Sequence, residues 1–387
     1  MSLKIHRSQL AIVPKTVDYR ASENPDAEHE LLQILDDITK STQISLVARE
    51  QDVLLFRNLK IRGVFQLTTV ALEHLCSRLA PRLYQAIVHI AGIRTNKRST
   101  DRNILYSDDA AASIINRLIK LRFNNIRGYR LLLNHKTKLA EGLIGRNYEF
   151  YSNREFYQTA MDFVGSQFPA AQFWEASLSG RRLLFRLIDP DPLVLKLPGY
   201  GTEMFYRGFH FSNAEIGGFA LRAANVVVHA RTGGVAISPF VNGGKISHIQ
   251  SQNFFQQLQS LFTRVAQRGR PSIELERNLV TVARTGLRLI ENQEVNESRK
   301  ELIAGQLQRR GLTRDLADVV IARTILTGAD SNTPAWSGAD LARDRTAFDV
   351  FLALMIEAKE QRLKVREHTE QVAYDLLSGK LDLSAPS

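Results

Sequence analysis

Two histidines and two glutamates lie within one stretch of predicted strands: Glu203, His210, Glu215 and His229. Imidazole nitrogens and carboxylate oxygens are common ligands of divalent metals, so this set could hold a metal ion and support a nuclease or another hydrolase. The alternative is that the histidines are hydrogen-bonded sheet residues and that Glu215 orders the turn after Asn213. We favour this structural alternative, keep His210, Glu215 and His229 as metal candidates, and predict no cofactor.

Other catalytic signatures are absent from the sequence. It contains no HExxH zinc motif, no GxxxxGK[ST] phosphate loop, no GxGxxG dinucleotide motif and no GxSxG nucleophile elbow. Its one cysteine, Cys76, lies in an apolar helical stripe that is typical of a core thiol, and it cannot form an internal disulfide. Enzymatic activity is therefore not our leading hypothesis.

Positive charge is concentrated in one part of the chain. The 387 residues include 51 Lys and Arg against 40 Asp and Glu, which gives a formal net charge of +11. Twelve of the basic residues fall between Arg94 and Arg146, where there are only four acidic residues. Clustered positive charge of this size is the usual mark of a polyanionic partner.

The same segment interleaves its cations with aromatic side chains. Proteins that bind single-stranded nucleic acid use cations to contact phosphates and aromatic rings to stack with bases. We predict that Phe123 and Tyr129 stack, and that the phosphate contacts are Arg94, Lys97, Arg98, Arg117, Lys120, Arg122, Arg127, Arg130, Lys136, Lys138 and Arg146. The alternative is a solvated basic face, or a surface for an acidic protein.

Hydrophobic patterning predicts an α+β protein with a central antiparallel sheet flanked by helices and an all-helical C-terminal region. Short apolar runs bounded by turn residues predict two strands, 129–133 and 139–144, joined by a basic turn at 134–138, and further strands within 181–237. Ser152 with Glu155 has the spacing of a capping box that begins a helix. We divide the chain into a lead-in segment (1–42), a basic N-terminal part of helices and strands (43–150), an α-β-β-β-α core (151–270) and a helical C-terminal region (271–387).

Several short motifs follow one another in a recognisable order: Arg146-Asn147-Tyr148, Asn153-Arg154-Glu155-Phe156, the strand at 181–188, and Gly208 to Gly217 followed by Ala220-Leu221-Arg222. This order resembles a phage- and plasmid-associated family that is catalogued as domain of unknown function nine hundred and thirty-two. The resemblance covers residues 60–270 and implies a mobile-element context without an assigned chemistry. Many members carry a Cys-x-Asn-Gly motif where this chain has Ala230-Arg231-Thr232-Gly233, so a cysteine role common to the family cannot apply here.

At the level of topology, the order of helix, strands and helix is similar to the plan of phage single-strand annealing recombinases. Those proteins assemble into rings or filaments that hold DNA in a basic groove. The similarity implies an oligomeric protein of recombination or single-strand DNA annealing, although a fold alone does not fix a function.

We therefore expect a nucleic-acid-binding protein of a phage or plasmid, with single-stranded DNA and further copies of itself as partners. The second hypothesis is a structural or interaction protein that self-assembles or captures a host partner, and the third is a metal-dependent nuclease. No apolar run approaches the roughly 18 residues of a membrane span. The N-terminal apolar stretch, Leu10 to Val13, is too short for a secretory signal, so we predict no membrane association and a cytoplasmic location in a bacterial or phage-infected cell.

Overall fold

The structure is a computed structural model that describes residues 16–56, 59–90, 108–216, 221–239, 245–246, 254–268, 272–287, 289, 296–326, 345–361 and 363–383. Two sheets are flanked by helices, and the C-terminal region is helical, which confirms the predicted α+β class. Within the described residues, no helix is both long enough and apolar enough to span a bilayer.

The strands are β1 (Thr16–Arg20), β2 (Thr42–Leu46), β3 (Leu55–Phe56), β4 (Lys60–Ile61), β5 (Phe65–Leu67), β6 (Arg130–Asn134), β7 (Leu139–Ile144), β8 (Gln172–Ser179), β9 (Arg182–Ile188), β10 (Leu193–Leu197), β11 (Gly201–Ala214), β12 (Leu221–His229), β13 (Val235–Ile237) and β14 (Lys245–Ile246). The helices are α1 (Ala27–Ser41), α2 (Thr69–Leu79), α3 (Leu83–Ile90), α4 (Asp108–Arg122), α5 (Asn153–Gln167), α6 (Phe254–Arg268), α7 (Ser272–Arg284), α8 (Asn296–Arg309), α9 (Arg314–Leu326), α10 (Ala347–Lys359) and α11 (Leu363–Leu377). A 3-10 turn, Phe123–Asn125, follows α4.

The smaller sheet has the strand order β2-β6-β7-β5-β4-β3, and all of its pairs are antiparallel except β5 with β7. Its apolar face packs with α2, α3 and α4 around a core that includes Leu72, Ile115 and Leu133. Cys76 belongs to this core, as predicted, and burial raises the pKa of its thiol to about 12. The thiol is therefore protonated and inert at neutral pH.

The larger sheet is antiparallel throughout, with the order β1-β8-β9-β11-β12-β13, while β10 pairs with β11 and β14 pairs with β12. One core lies between the sheet and the helices α5 and α6, where Phe156 of α5 packs against Phe185 and Phe211 of the sheet. A second core joins the sheet to α7, α8, α9, α10 and α11. The predicted lead-in segment is part of the larger sheet and of the helices around it, because β1 pairs with β8 and α1 packs against α5.

Local sequence signals account for several element boundaries. The capping box before α5 is confirmed: Ser152 Oγ accepts a hydrogen bond from the Glu155 N–H, and the Glu155 carboxylate accepts one from the Ser152 N–H, each at 3.1 Å. Thr68 begins α2 by accepting from the Ala71 N–H at 3.2 Å. The predicted hairpin is β6 with β7, and its turn occupies residues 135–138.

A buried arginine joins the two sheets. The Arg181 guanidinium contacts the Glu141 carboxylate on β7, donates to Glu215 Oε2 at 2.8 Å and donates to Thr42 Oγ1 at 2.7 Å. Nearby, Gly142 lets Ile216 approach so closely that a Cβ at residue 142 would lie 2.6 Å from the Ile216 Cγ2 atom. The two sheets are therefore fixed to each other through both charge and close packing.

Candidate nucleic-acid interface

The structure separates the predicted contact residues. Arg94, Lys97 and Arg98 lie outside the described residues. The others occupy three places: α4 (Arg117 and Lys120), the end of α4 with the base of the β6–β7 hairpin (Arg122, Phe123, Arg127, Tyr129, Arg130 and Arg146), and the tip of that hairpin (Lys136 and Lys138).

A groove of about 420 Å³ runs between α4 and β3; we call it the α4 groove, and it is lined by Leu55, Phe56, Ala112, Ser113, Asn116, Arg117 and Lys120. β3 is an edge strand, and the Asn116 side chain pairs with it as a neighbouring strand would. The Asn116 amide accepts from the Leu55 N–H at 2.8 Å and donates to the Leu55 carbonyl at 2.7 Å. This pairing places the aromatic ring of the next residue, Phe56, beside Arg117 and Lys120.

Phe56 is 55% exposed, so its ring is open to solvent. It forms one wall of the groove, and the two cations of α4 form part of the other. An accessible aromatic face next to two cations is the combination that binds a stacked base and its phosphate. Phe56 was missed in the sequence because the run from Val53 to Phe56 had the pattern of an ordinary buried segment.

A second group of cations, which we call the turn cluster, surrounds the 3-10 turn after α4 and consists of Arg78, Arg122 and Arg146. Arg122 Nη1 donates to the Leu79 carbonyl at 2.9 Å, and Arg146 Nη2 donates to the Asn124 carbonyl at 3.4 Å. The Arg78 guanidinium lies 5.5 Å from the centre of the Tyr129 ring. These contacts hold the stems and leave three positive charges on one exposed surface.

No ion pair within the described part of the chain involves the α4 groove or the turn cluster. Arg78, Arg117, Lys120, Arg122 and Arg146 are exposed, and none of them has a carboxylate within 4.0 Å among these residues. Their charge is therefore available to a polyanion. The same holds for the exposed Arg127, which lies in the loop between the 3-10 turn and β6.

The hairpin tip differs from the other two places. Lys136 Nζ lies 2.6 Å from Asp37 Oδ2 on α1, so its charge is paired. Lys136 and Lys138 are also separated from Arg130 and Arg146 by the length of a five-residue strand, about 17 Å. These residues are close in sequence and were therefore predicted to form one cluster, but the hairpin holds them at its opposite ends.

Both predicted stacking residues are half-buried. Phe123 and Tyr129 pack against the core of the smaller sheet, and one face of Tyr129 lies under Arg78. Arg130 turns its guanidinium to the Tyr148 carbonyl. These three side chains support the turn cluster, whereas Phe56 offers the freely accessible ring.

The three metal candidates have separate environments. His210 pairs across the sheet with Ala224, whereas His229 pairs with Phe205, so the odd spacing along β11 puts the two rings on opposite faces. His229 Nε2 lies 2.9 Å from Glu203 Oε2, and Glu215 pairs with Arg181. The described residues contain no group of three His, Cys, Asp or Glu that could hold a metal ion.

A buried charge network occupies one face of the larger sheet. We call it the sheet–helix network, and it consists of Glu175, Arg182, Arg186, His210 and Arg222 on the sheet with Arg366, Glu367 and Glu370 on α11. Arg186 contacts both the Glu175 and the Glu370 carboxylates, and Arg366 donates to the same pair at 2.6 and 3.0 Å. Four guanidinium groups thus meet three carboxylates. Arg186, Arg366 and the three carboxylates are buried, whereas Arg182 and Arg222 lie at the margin of the network and are partly exposed.

These contacts shift the titration of the network. Burial alone would raise the pKa of Glu175, but the guanidinium groups of Arg366 and Arg186 lower it to about 2. Burial opposes ionisation of Glu367 too, yet the hydrogen bond with His210 and the charges of Arg182 and Arg222 lower its pKa to about 2. Burial lowers the pKa of His210, so the neutral ring accepts from Arg186 at 3.4 Å and donates to Glu367 at 3.2 Å.

We expect the free energy of unfolding to fall in two steps on acidification. Below about pH 6.5 the unfolded chain protonates His210 and His74, whose pKa values burial lowers in the folded chain, so stability decreases. Between about pH 4.3 and pH 2 the stabilisation from Glu175 and Glu367 is lost, because their folded pKa values lie below the unfolded value. Urea unfolding across this range measures both steps. His210→Gln should reduce the first step and keep the part of the second step that comes from Glu175, whose pKa does not depend on His210. An unreduced first step would contradict the assignment to His210.

No protein-family model, curated protein or solved structure matches the chain. The likeness to the phage- and plasmid-associated family therefore stays a prediction from short motifs.

Proposed function

We propose that the protein binds single-stranded nucleic acid through the α4 groove and the adjoining turn cluster. The observation that carries this proposal is the exposed ring of Phe56 beside Arg117 and Lys120, two cations without an ion-pair partner in the described residues. The sequence resemblance adds a phage or plasmid context, self-assembly and a role in recombination or annealing to the same proposal.

Electrostatics supports a polyanion as the ligand. A cation that is already paired gains little from a phosphate, because the phosphate must displace a carboxylate. No such competitor lies near the exposed cations Arg117, Lys120, Arg122 and Arg146 among the described residues. By contrast, Lys300 on α8 and Arg314 on α9 are paired with glutamates. Each phosphate neutralised by an unpaired cation releases counterions, which makes the affinity dependent on salt.

The aromatic wall supports a single strand over a duplex. Bases in a duplex are stacked on one another, so their faces are closed to a protein ring. Unpaired bases expose these faces, and stacking on an aromatic side chain contributes about 1–3 kcal/mol per base. Phe56 can contribute this energy only to a strand whose bases are accessible.

Titration of a fluorescent single-stranded oligonucleotide at several salt concentrations tests the proposal, with a duplex of the same sequence as the control. We expect the single strand to bind more tightly and its affinity to fall as salt rises. Tighter binding of the duplex would overturn the assignment of Phe56. Absence of binding to either DNA at low salt would overturn the function and reassign the basic surface to an acidic protein.

A further inference from the structure

A second cavity, of about 370 Å³, lies on the larger sheet away from the α4 groove. It opens between the aromatic core under α5 and the core that contains α7 and α11, and its volume is in the range of small-molecule sites, about 300–1,000 Å³. Such sites occur preferentially where two packed units meet.

The walls of this cavity are apolar and partly aromatic. Phe168 and Phe209 form one wall, with ring centroids 4.9 Å apart and planes inclined by 54°. Leu275 from α7 and Tyr374 from α11 contribute to the lining as well. A flat, mostly apolar ligand body would bury its faces between these side chains.

A donor and an acceptor stand side by side in the lining. Arg207 Nη2 lies 3.4 Å from Asp189 Oδ2, and both side chains are about one third exposed, at 30% and 36%. The long contact leaves guanidinium N–H groups and carboxylate lone pairs for a ligand. A ligand edge that presents an acceptor next to a donor would hydrogen-bond to both.

Two polar atoms of the lining residues lack partners. Asn225 Oδ1 and Arg207 Nε are buried, and neither has a hydrogen-bond partner in the part of the chain that is described. By the pairing of Phe209 with Asn225, the Asn225 side chain lies on the same face of the sheet as the aromatic wall. Buried polar groups are normally satisfied, so an unsatisfied one calls for an explanation.

We infer that this cavity binds a single nucleobase, carried either by a free nucleoside or by one unpaired base of a strand. Every nucleobase is a planar heterocycle whose pairing edge sets a hydrogen-bond donor next to an acceptor. That edge matches the adjacent Arg207 and Asp189, and the ring faces match the apolar walls. The free-nucleoside form of the inference is independent of the α4 groove, whereas the strand-borne form rests on the proposed function.

Calorimetric titration with adenosine, guanosine, cytidine and uridine, each alone, tests the free form. Arg207→Met removes the donor and keeps the aliphatic stem, and Ala171→Phe fills the cavity from its α5 side. Arg314→Met, on the surface of α9, is the matched control. We expect at least one nucleoside to bind, both cavity variants to weaken it about tenfold or more, and the control to leave it unchanged.

A second titration, with the fluorescent single strand at high salt, distinguishes the two sources. Loss of strand affinity in Arg207→Met without nucleoside binding would support a strand-borne base. If strand affinity falls only in the variant of Arg117 and Lys120 and not in Arg207→Met, the strand binds at the α4 groove and not in this cavity. The inference is overturned when a nucleoside binds with the same affinity to the wild type and to both cavity variants. It is also overturned when Arg207→Met keeps its melting temperature and changes neither the nucleoside affinity nor the strand affinity.

Discussion

Arg186→Met should lower the free energy of unfolding by about 3–5 kcal/mol, the cost of removing one partner from a buried ion pair. Arg186 is fully buried and contacts the carboxylates of Glu175 and Glu370. Methionine preserves much of the side-chain volume, so the loss would report charge rather than a cavity. Glu370 would keep only Arg366 as a cationic partner among its described contacts.

Urea unfolding followed by circular dichroism measures this loss, and Arg314→Met is the matched control. Arg314 also pairs with two carboxylates, those of Glu301 and Asp318, but its side chain is 43% exposed. Exposed pairs contribute little, so the control should lose far less than Arg186→Met. Equal losses in the two variants would contradict the importance of burial. Glu370→Gln provides a milder change should Arg186→Met fail to fold.

The sheet–helix network also marks where prediction from sequence stops. The run 181–188 is mostly apolar and ends at Asp189-Pro190, and it predicts β9 correctly. Read from the sequence alone, the charges of Arg182 and Arg186 indicate positions in contact with solvent. In the structure they are covered because α11, about 180 residues later in the chain, brings Glu367 and Glu370 onto them. Periodicity reports which residues share a face, and it cannot report what distant segment covers that face.

Local signals were sufficient elsewhere. The capping box at Ser152 and the β6–β7 hairpin depend on residues close in sequence, and both predictions are confirmed. The residues of the candidate interface could not be identified from the sequence, because contacts between distant segments bring them together or separate them. Phe56 reaches Arg117 only because Asn116 pairs with the backbone of Leu55 across 61 positions of sequence. Lys136 leaves the interface because it pairs with Asp37 on α1.

Replacing Arg117 and Lys120 together with alanine should weaken binding of single-stranded DNA about 25-fold at about 0.1 M salt, if each contacts one phosphate. On single strands the logarithm of the affinity changes with the logarithm of salt by about −0.7 per neutralised phosphate. Loss of two contacts therefore makes the slope shallower by about 1.4. Both side chains are exposed on α4, so the fold should be unaffected.

The matched control is the double variant Lys300→Ala with Arg314→Ala. It removes the same two residue types and the same charge, but from ion-paired positions on α8 and α9. A general effect of net charge would change both double variants equally. Contact with phosphate at the α4 groove would change only the first.

The most direct test of nucleic-acid binding at the α4 groove is the salt dependence of single-strand affinity in these three proteins. We predict that the wild type and the Lys300→Ala, Arg314→Ala variant share one slope, and that the Arg117→Ala, Lys120→Ala variant has a slope shallower by about 1.4. An identical slope in all three proteins would show that nucleic acid, even where it binds, does not contact the α4 groove.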